Sequence, residues 1–387
     1  MTPQYYFDHA ASAPRREEVA EAMDRWSHGV VANPSGSHRA AREARRAVED
    51  ARDEVAAFVG ARPGEVVFTA GGTESCHLGV VGVALHHRRH HDRTSVVVSR
   101  VEHHAVLDAA ASLERVAGVE VRYVGVDEDG VVDLDELARL VGPDTAVASV
   151  MAANNETGVC QPLDAVSSTV NAHVPGGAPL HTDAVAAAPW LHLPTVAATA
   201  QLVSICAHKI GGPVNAGALV VREGVGIDAV MPGGGQERGR RGGTVDVAAA
   251  VGLAAAARAT ARELTEVHER VGDLQLRLER AVAFLPGARV TASGAARVPG
   301  TVHVTFEGLA SDELLFLLDQ AGVAASAAAS CSSGAAQPSH VLAAMGVAPE
   351  RARGALRLSM GAETTQADVD ALIGALSTIV FSLRTTA

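Results

Sequence analysis

The stretch QLVSICAHKIGGPVNAGALVV, residues 201–221, places two short apolar runs on either side of one lysine. Residues 202–206 and 218–221 have the length and β-branched content of buried strands. Lys209 lies between them, followed by Gly211 and Gly212, so it is predicted to sit in a loop directly after a strand. Lys209 is also the one lysine in a sequence with 32 Lys and Arg residues. Because it is the single lysine side chain of the sequence, Lys209 is a candidate for a chemical role.

Short β-branched runs recur through the first part of the chain and alternate with helical patterns at 39–58, 74–87 and 106–116. Most of these runs are apolar on both faces, which is typical of a mainly parallel sheet covered by helices. The sequence therefore predicts an α/β fold with a mainly parallel seven-stranded sheet. The predicted strands are 66–70, 95–99, 119–124, 145–151, 180–183, 202–206 and 218–221.

The pattern changes after Thr244. Residues 245–284 form one long Ala- and Leu-rich helical pattern, which we expect to be broken once or twice. Beyond it, residues 301–306 and 356–360 alternate like half-buried strands, with a helical pattern at 311–321 between them. These elements predict a smaller α+β C-terminal domain.

The predicted division of the chain has three parts. An N-terminal segment, residues 1–15, packs with the small domain; the large domain spans residues 16–259; and the small domain spans residues 260–387. A length of 387 residues is enough for about two domains, each with its own core.

Composition limits the classes of partner. A net charge of −12 argues against direct nucleic-acid binding or an acidic membrane surface, so small molecules and proteins are the expected partners. The N-terminus lacks the pattern of a secretory signal, and no apolar run reaches the roughly 18 residues of a membrane span. Cys76, Cys160, Cys206 and Cys331 show no CxxC spacing, which fits a reducing, cytoplasmic compartment.

The run HHRRHH, residues 86–91, has the composition of a metal site. It closes a predicted helix, where cations favour the C-terminal dipole, and its spacing looks too dense for ligands on one face. We therefore predict no metal ion.

Three groups carry recognisable chemistry. A lysine held between apolar strands is destabilised as an ammonium ion, so its amine becomes available for a Schiff base with a carbonyl cofactor. Gly72 and Thr73 follow the first strand and open a helix, where free N–H groups suit a phosphate; a Gly-Gly-Thr turn is also a common helix cap. Asp183 ends another strand and needs a cationic partner such as a pyridinium nitrogen. Together they describe a site for pyridoxal 5′-phosphate (PLP). Taken alone, Lys209 is better explained as a surface lysine at a strand end.

Ten segments, spread over nearly the whole chain, occur in the same order as in one known family. The chain resembles the PLP-dependent cysteine desulfurases of the class V aminotransferase family, which have PLP-dependent transferase fold type I. The segments are FDHAASAP (7–14), NPSGSHRAAREA (33–44), VVFTAGGTES (66–75), VEHHAVL (101–107), NNETGVCQP (154–162), HTDA (181–184), AHKIGGP (207–213), GGGQERGRRGGT (233–244), CSSGAAQPSHVL (331–342) and LRLSMG (356–361).

The resemblance implies a role for each residue around the cofactor ring. Lys209 would hold the cofactor covalently and move the substrate Cα proton. His103 would stack on the ring and help deprotonate the substrate, and Asp183 would pair with the ring nitrogen. Asn155 would bind the ring hydroxyl or the substrate. Without the resemblance, His103 and Asn155 would be taken for loop residues that cap strands.

A second group would bind the cofactor phosphate. The resemblance assigns Gly72, Thr73 and His208 to this task, with Cys206 at a position where the family usually has serine. Thr244 would reach the phosphate from the partner subunit of a homodimer. Because a thiol is a weak hydrogen-bond donor, Cys206 is expected to hold the cofactor less tightly.

The remaining implied residues act on the substrate. Arg357 would bind the carboxylate of L-cysteine, although an arginine in an alternating strand could equally face solvent. Cys331 lies in a small, glycine-containing segment whose length matches the extended-cysteine-loop group of the family. Its thiolate would take the substrate sulfur as a persulfide, release L-alanine, and pass the sulfur to an acceptor protein, for iron–sulfur assembly or another pathway. Cys76 and Cys160 are expected to be inert.

One further departure from the family keeps alternatives open. Ala186 stands where the family usually has a glutamine that hydrogen-bonds the ring hydroxyl. The alternatives are another PLP enzyme of this fold, such as a selenocysteine lyase or an aminotransferase, and a weakly active scaffold. Cys331 disfavours the aminotransferase, whereas Ala186 and Cys206 favour the scaffold.

Overall fold

The computed structural model describes residues 5–28, 32–174, 176–327 and 339–386. Thirteen α-helices lie in these ranges. They are α1 (Glu17–Ser27), α2 (Arg39–Val59), α3 (Gly72–His77), α4 (Val83–His91), α5 (His104–Ala117), α6 (Leu134–Leu140), α7 (Leu163–His173), α8 (Leu193–Thr199), α9 (Val247–Ala283), α10 (Ser311–Gln320), α11 (His340–Ala344), α12 (Pro349–Ala352) and α13 (Gln366–Thr386).

The same ranges contain twelve strands. They are β1 (Tyr5–Tyr6), β2 (Val66–Thr69), β3 (Ser95–Ser99), β4 (Glu120–Val124), β5 (Thr145–Ser149), β6 (Leu180–Asp183), β7 (Leu202–Cys206), β8 (Gly217–Val221), β9 (Ala288–Val290), β10 (Thr301–Phe306), β11 (Val323–Ala324) and β12 (Ala355–Ser359).

Seven strands form the main sheet, in the order β2-β8-β7-β6-β5-β3-β4. β3, β4, β5, β6 and β7 pair in parallel, whereas β8 is antiparallel to both of its neighbours, β2 and β7. β2 therefore runs in the same direction as β7, and six of the seven strands end at one edge of the sheet. The predicted α/β class and seven-stranded, mainly parallel sheet are confirmed.

Both faces of the sheet are covered by helices, as the doubly apolar strands predict. Val96 and Val98 pack with residues of α4 and α5 in one core cluster. Val97, which points the opposite way, packs in a second cluster with residues of α2, α7 and α9. The sheet thus lies between two helical layers.

The C-terminal part has its own antiparallel sheet, in the order β12-β10-β9. Every residue of β10 and β12 is buried, so the prediction of half-buried strands is wrong. The alternating polar positions, which suggested exposure to solvent, find partners inside instead. His303 lies 2.8 Å from Thr291 Oγ1, and Arg357 donates to Asp8 at 2.7 Å.

The long helix α9 is continuous over 37 residues, so the expected breaks do not occur. Its Gly252 serves close packing: a Cβ there would lie 2.7 Å from the Met23 sulfur and 2.9 Å from Pro213. The proposed domain boundary at residue 260 falls inside α9 and stays a prediction. The N-terminal strand β1 pairs in parallel with β11, Tyr5 with Val323 and Tyr6 with Ala324.

Among the described residues, α13 is the one helix long and apolar enough to cross a membrane by length and composition. Val369, Leu372, Leu376 and Val380 on this helix are fully buried. An apolar face buried in this way is typical of a core helix.

We predict that His303 makes folding stability depend on pH. Burial, and then the Arg357 charge, lower its pKa to about 3 from an ordinary 6.5. Between these values the unfolded chain binds the proton and the folded chain does not, so this stability is present above pH 6.5 and is lost as the pH falls. In urea unfolding between pH 6 and 5, His303→Gln should reduce the pH slope of the unfolding free energy by about 1 kcal/mol per pH unit.

The matched control is His173→Gln, which changes an exposed histidine at the end of α7. Its slope should equal that of the parent protein. An unchanged slope in His303→Gln would contradict the assigned burial of His303.

Candidate active site

A cavity of about 290 Å³ opens at the edge where the six codirectional strands end. Its walls come from four regions: the N-terminal segment, the loops of the main sheet, the start of α3 and strand β12. The predicted site residues in its lining are Gly72, Thr73, His103, Asn155, Asp183, His208, Lys209 and Arg357. The structure therefore brings together eight of the eleven residues predicted from the sequence.

The loop after β7 holds Lys209 through close backbone contacts. Gly211 has φ +76°, and a Cβ there would lie 2.7 Å from Arg16 Cγ; at Gly212 it would lie 2.6 Å from Ala207 Cβ. The Gly212 N–H donates to the Ala207 carbonyl at 2.8 Å. These contacts explain the glycine pair, because any side chain would push the loop open.

The Lys209 amine lies against the N-terminal segment. Nζ donates to the Ala10 carbonyl, and to the Ala11 carbonyl at 3.0 Å. Burial lowers the pKa of Lys209 below its ordinary value, and Arg357 acts in the same direction. A buried amine of lowered pKa is the form that attacks a carbonyl carbon.

Asp183 is the last residue of β6, and 5% of its surface is exposed. Its Oδ1 accepts the Val185 N–H at 2.9 Å, which fixes the carboxylate at the cavity wall. Beneath it, His181 bridges Ser149 Oγ at 2.8 Å and Ser204 Oγ at 2.9 Å. Burial lowers the pKa of His181 to about 3, so this imidazole is neutral and the Asp183 charge is left for another cation.

His103 begins helix α5 as its N-cap. Its Nδ1 accepts the Ala105 N–H at 3.1 Å, which leaves the ring proton of the neutral form on Nε2. The pKa of His103 is lowered by burial, while Asp183 raises it and Lys209 lowers it. The ring is therefore a neutral, oriented group facing the same cavity as Lys209 and Asp183.

A single chain provides part of the predicted binding site for the cofactor phosphate. At Gly72 a Cβ would lie 2.9 Å from Val185 Cγ2, so a side chain there would displace Val185. Thr73 and His208 line the cavity. Burial, and then Lys209, lower the pKa of His208 to about 4, so it acts as a neutral hydrogen-bonding group.

Two residues predicted for the phosphate are not in the cavity lining. Cys206 is fully buried, with Sγ 3.8 Å from His208 Nε2, and burial raises the pKa of its thiol to about 12. Thr244 lines a separate depression with Thr69, Asn215 and Arg241. Its contribution to a partner subunit's site stays a prediction, as does any contact of Cys206 with the cofactor.

Arg357 projects from the middle of β12 and is 3% exposed. Its Nη2 donates to Asp8 Oδ1 at 2.7 Å, and its Nη1 donates to the Asn155 carbonyl at 3.0 Å. Among the described residues, its buried Nε–H has no hydrogen-bond acceptor. A guanidinium has five N–H donors, and these two contacts leave others available to a carboxylate.

Sequence reasoning missed two acidic residues. Asp8 lies in the segment FDHAASAP, but only the fold brings it to Arg357, 349 positions along the chain. Glu102 precedes His103; its Oε1 accepts the Met151 N–H at 2.6 Å, and its Oε2 is buried without a partner among the described residues. Burial, and then Asp183, raise the pKa of Glu102 well above its ordinary value, which favours the protonated carboxyl. Its position beside His103 was the available signal.

The three described cysteines are poor nucleophiles. Burial raises the pKa of Cys76 well above its ordinary value, and that of Cys160 to about 11. Together with the raised pKa of Cys206, this leaves each of the three as a neutral thiol at pH 7. Cys331 lies outside the described residues.

The lining fits PLP on the chemistry of its groups. The cavity combines an amine for the cofactor carbonyl, a carboxylate for the ring nitrogen, an imidazole, and a glycine-threonine helix start for an anion. The fold and this site define a PLP-dependent enzyme.

The chain belongs to the class V aminotransferase family, whose sequence model matches residues 5–372. It is 41% identical over 384 residues to an IscS-like cysteine desulfurase of Mycobacterium tuberculosis, covering 98% of this chain and 97% of the relative. A solved NifS-like protein superposes with a TM-score of 0.90 at 33% identity, covering 98% of this chain and 99% of that one. A structure of SspA in complex with cysteine has a TM-score of 0.79 at 29% identity, covering 94% and 100% of the two chains.

We predict that Lys209→Ala loses covalent attachment of the cofactor. Because the sequence has no second lysine, no other side-chain amine can replace it. After incubation with PLP and borohydride reduction, the parent protein should carry one cofactor per chain by intact mass, and the variant should carry none.

Lys209→Arg is the matched control, since it keeps a cation but removes the nucleophile. It should also lack the attached cofactor. A reducible attachment in either variant would have to involve the α-amino group and would contradict the assignment of Lys209.

Proposed function

We propose that this protein is a cysteine desulfurase that converts L-cysteine to L-alanine and carries the sulfur as a persulfide on Cys331. The observation that carries the proposal is the meeting of Lys209, Asp183 and Arg357 around one cavity. It is supported by the 41% identity over nearly the full length to an IscS-like cysteine desulfurase. Two further relatives, at 36% and 37% identity over nearly the whole chain, are also cysteine desulfurases.

In this reaction each buried group has a task that its position supports. Arg357 binds the substrate carboxylate through the N–H donors that Asp8 and Asn155 leave unused, and the carbonyl contact to Asn155 fixes the guanidinium. Bound PLP supplies an electron sink for the charge that develops at Cα. Lys209, with its lowered pKa, takes the Cα proton as a neutral amine. His103, with its proton on Nε2, exchanges a proton with the substrate sulfur.

Sulfur transfer requires a thiolate that can reach the substrate. The Cys331 thiolate attacks the substrate sulfur, so an S–S bond forms while the substrate C–S bond breaks. The electron pair of the broken bond stays on the former Cβ, which is then protonated to the methyl group of alanine. The raised pKa values of Cys76, Cys160 and Cys206 support Cys331 as the acceptor.

We further propose a homodimer in the cytoplasm that passes sulfur to an acceptor protein. Thr244 is exposed and lies away from the cavity of its own chain, which supports a role in a neighbouring subunit. Two exposed apolar side chains lie near this depression. Val214, 63% exposed, precedes Asn215 in the depression lining, and Met231, 49% exposed, accepts the Gly242 N–H through its carbonyl. Exposed apolar surface of this kind favours an interface with a second copy.

Cys331→Ser tests the sulfur-transfer step. The hydroxyl cannot accept sulfur, so release of alanine and sulfide from L-cysteine should fall by at least about a hundredfold. The cofactor absorbance should still respond to L-cysteine, because the thiol takes no part in substrate binding. The assay measures alanine and sulfide with and without a reductant.

Cys160→Ser is the control, because it changes a half-buried thiol that does not line the cavity. It should keep the parent rate and a transferable persulfide. If Cys331→Ser turned over at the parent rate, the protein would instead be a lyase or an aminotransferase.

Asp8→Asn tests how substrate reaches Arg357. The Asp8 carboxylate already neutralises the guanidinium, so it competes with the substrate carboxylate for the same charge. The amide keeps an acceptor for Nη2 but removes the charge. We expect KM for L-cysteine to fall by roughly fivefold, equivalent to about 1 kcal/mol, with kcat little changed.

Asp144→Asn provides a matched control: Asp144 also accepts from an arginine, Arg122, at 2.7 Å, but far from the cavity lining. Its KM should equal that of the parent. A rise in KM for Asp8→Asn would show that Asp8 only orients Arg357 and does not compete with substrate.

A further inference from the structure

The C-terminal end of α4 meets a distant acidic residue. His86 and His90 are four positions apart on this helix, so they share one face, and their ring centroids lie 4.6 Å apart. Asp228, from the segment after β8, places Oδ1 3.2 Å from His86 Nδ1. One nitrogen of each histidine and one oxygen of Asp228 all lie within 4.8 Å of one another. The spacing of HHRRHH, which looked too dense for one ligand face, therefore contains a usable pair.

We propose that His86, His90 and Asp228 bind a divalent transition-metal ion of the Zn²⁺ class. Two imidazoles and one carboxylate suit Zn²⁺, Co²⁺ or Ni²⁺, whereas Mg²⁺ and Ca²⁺ prefer sets of oxygen ligands. Three protein ligands leave the remaining coordination position to water. None of the three residues lines the cavity of Lys209, so this site is separate from the active site.

Two of the three ligands are already fixed at a suitable separation. Ligand atoms about 2.0–2.1 Å from a tetrahedral metal lie roughly 3.3 Å from each other, close to the 3.2 Å between His86 and Asp228. The Asp228 N–H donates to the Gly82 carbonyl at 3.0 Å, which ties this residue to the helical stretch before α4. Gly226 packs against the other side of the His86 ring: a Cβ there would lie 2.0 Å from His86 Nε2. His86 is thus held with Nδ1 toward Asp228, and only the exposed His90 has to turn.

Of the charges around the site, the helix dipole favours a cation, whereas Arg89 opposes it and competes for Asp228. Arg89 Nη1 lies 2.9 Å from Asp228 Oδ2, an ion pair whose angle falls outside hydrogen-bond geometry, and Oδ1 faces His86. Arg89 therefore contacts the carboxylate from the side away from the metal position. The C-terminal end of α4 adds the negative end of its helix dipole. A bound ion would join α4 to the segment after β8 and stabilise that connection.

The test uses tag-free holoenzyme carrying Cys331→Ser, which removes the thiol most able to bind metal elsewhere. After dialysis against a chelator, Zn²⁺ is titrated by calorimetry, and thermal unfolding is followed with and without Zn²⁺. We expect about one Zn²⁺ per chain and a rise in Tm. His90→Asn should weaken Zn²⁺ binding by at least about tenfold and abolish the rise in Tm.

His173→Asn is the matched control, because it also changes an exposed histidine in the last turn of a helix. It should bind Zn²⁺ like the parent. The proposal is overturned if the parent binds no Zn²⁺, if His90→Asn keeps the parent affinity, or if Mg²⁺ binds as tightly as Zn²⁺. Since His90 is exposed, loss of the fold cannot account for loss of binding; circular dichroism of the variant verifies this.

Discussion

The buried guanidinium of Arg357 joins the parts of the chain that build the active site. It reaches from β12 of the small sheet to Asp8 in the N-terminal segment and to the Asn155 carbonyl in the loop after β5. The residues just after Asp8 supply the carbonyls of Ala10 and Ala11 that accept from Lys209. The Arg357 side chain is buried and the Asp8 side chain is partly exposed, and their ion pair couples the positions of the small sheet, the N-terminal segment and the Lys209 loop. The cavity exists because these three segments are held together.

Burial controls which groups around this cavity are charged. Lys209, His103 and His208 all have pKa values lowered by desolvation, which favours their neutral forms. Desolvation raises the pKa of Glu102, which favours the neutral carboxyl as well. The cavity therefore offers an amine and two imidazoles that can accept protons, next to the carboxylate of Asp183. A set of neutral bases beside one anion is what proton movement at a substrate carbon requires.

The sequence predicted the main sheet well because its strands are apolar on both faces and each is punctuated by glycine or polar residues. Lys209 and Asp183 followed from the same rule, since the carboxyl ends of codirectional strands share one edge, whereas His103 and Asn155 were indicated only by the family resemblance. Features that depend on distant pairs were not predictable in this way. The alternating polar residues of β10 and β12 suggested that one face of these strands is exposed to solvent, but His303 and Arg357 are buried and contact other protein groups. Asp8 and Asp228 acquire their roles only when folding brings them to Arg357 and His86, 349 and 142 positions away.

Alanine at position 186, where the resemblance implies glutamine, makes the Arg357–Asn155 contact more important. Ala186, Asn155 and Lys209 line both the active-site cavity and a neighbouring depression that reaches Trp190 and Glu263. A short side chain at 186 leaves this wall without the amide that the family usually supplies there. Among the described lining residues, Asn155 is then the remaining side-chain amide, and its backbone carbonyl is held by Arg357. Arg357, which we propose binds the substrate carboxylate, therefore also holds the backbone of Asn155, so in the proposed reaction substrate binding and the position of this amide depend on one side chain.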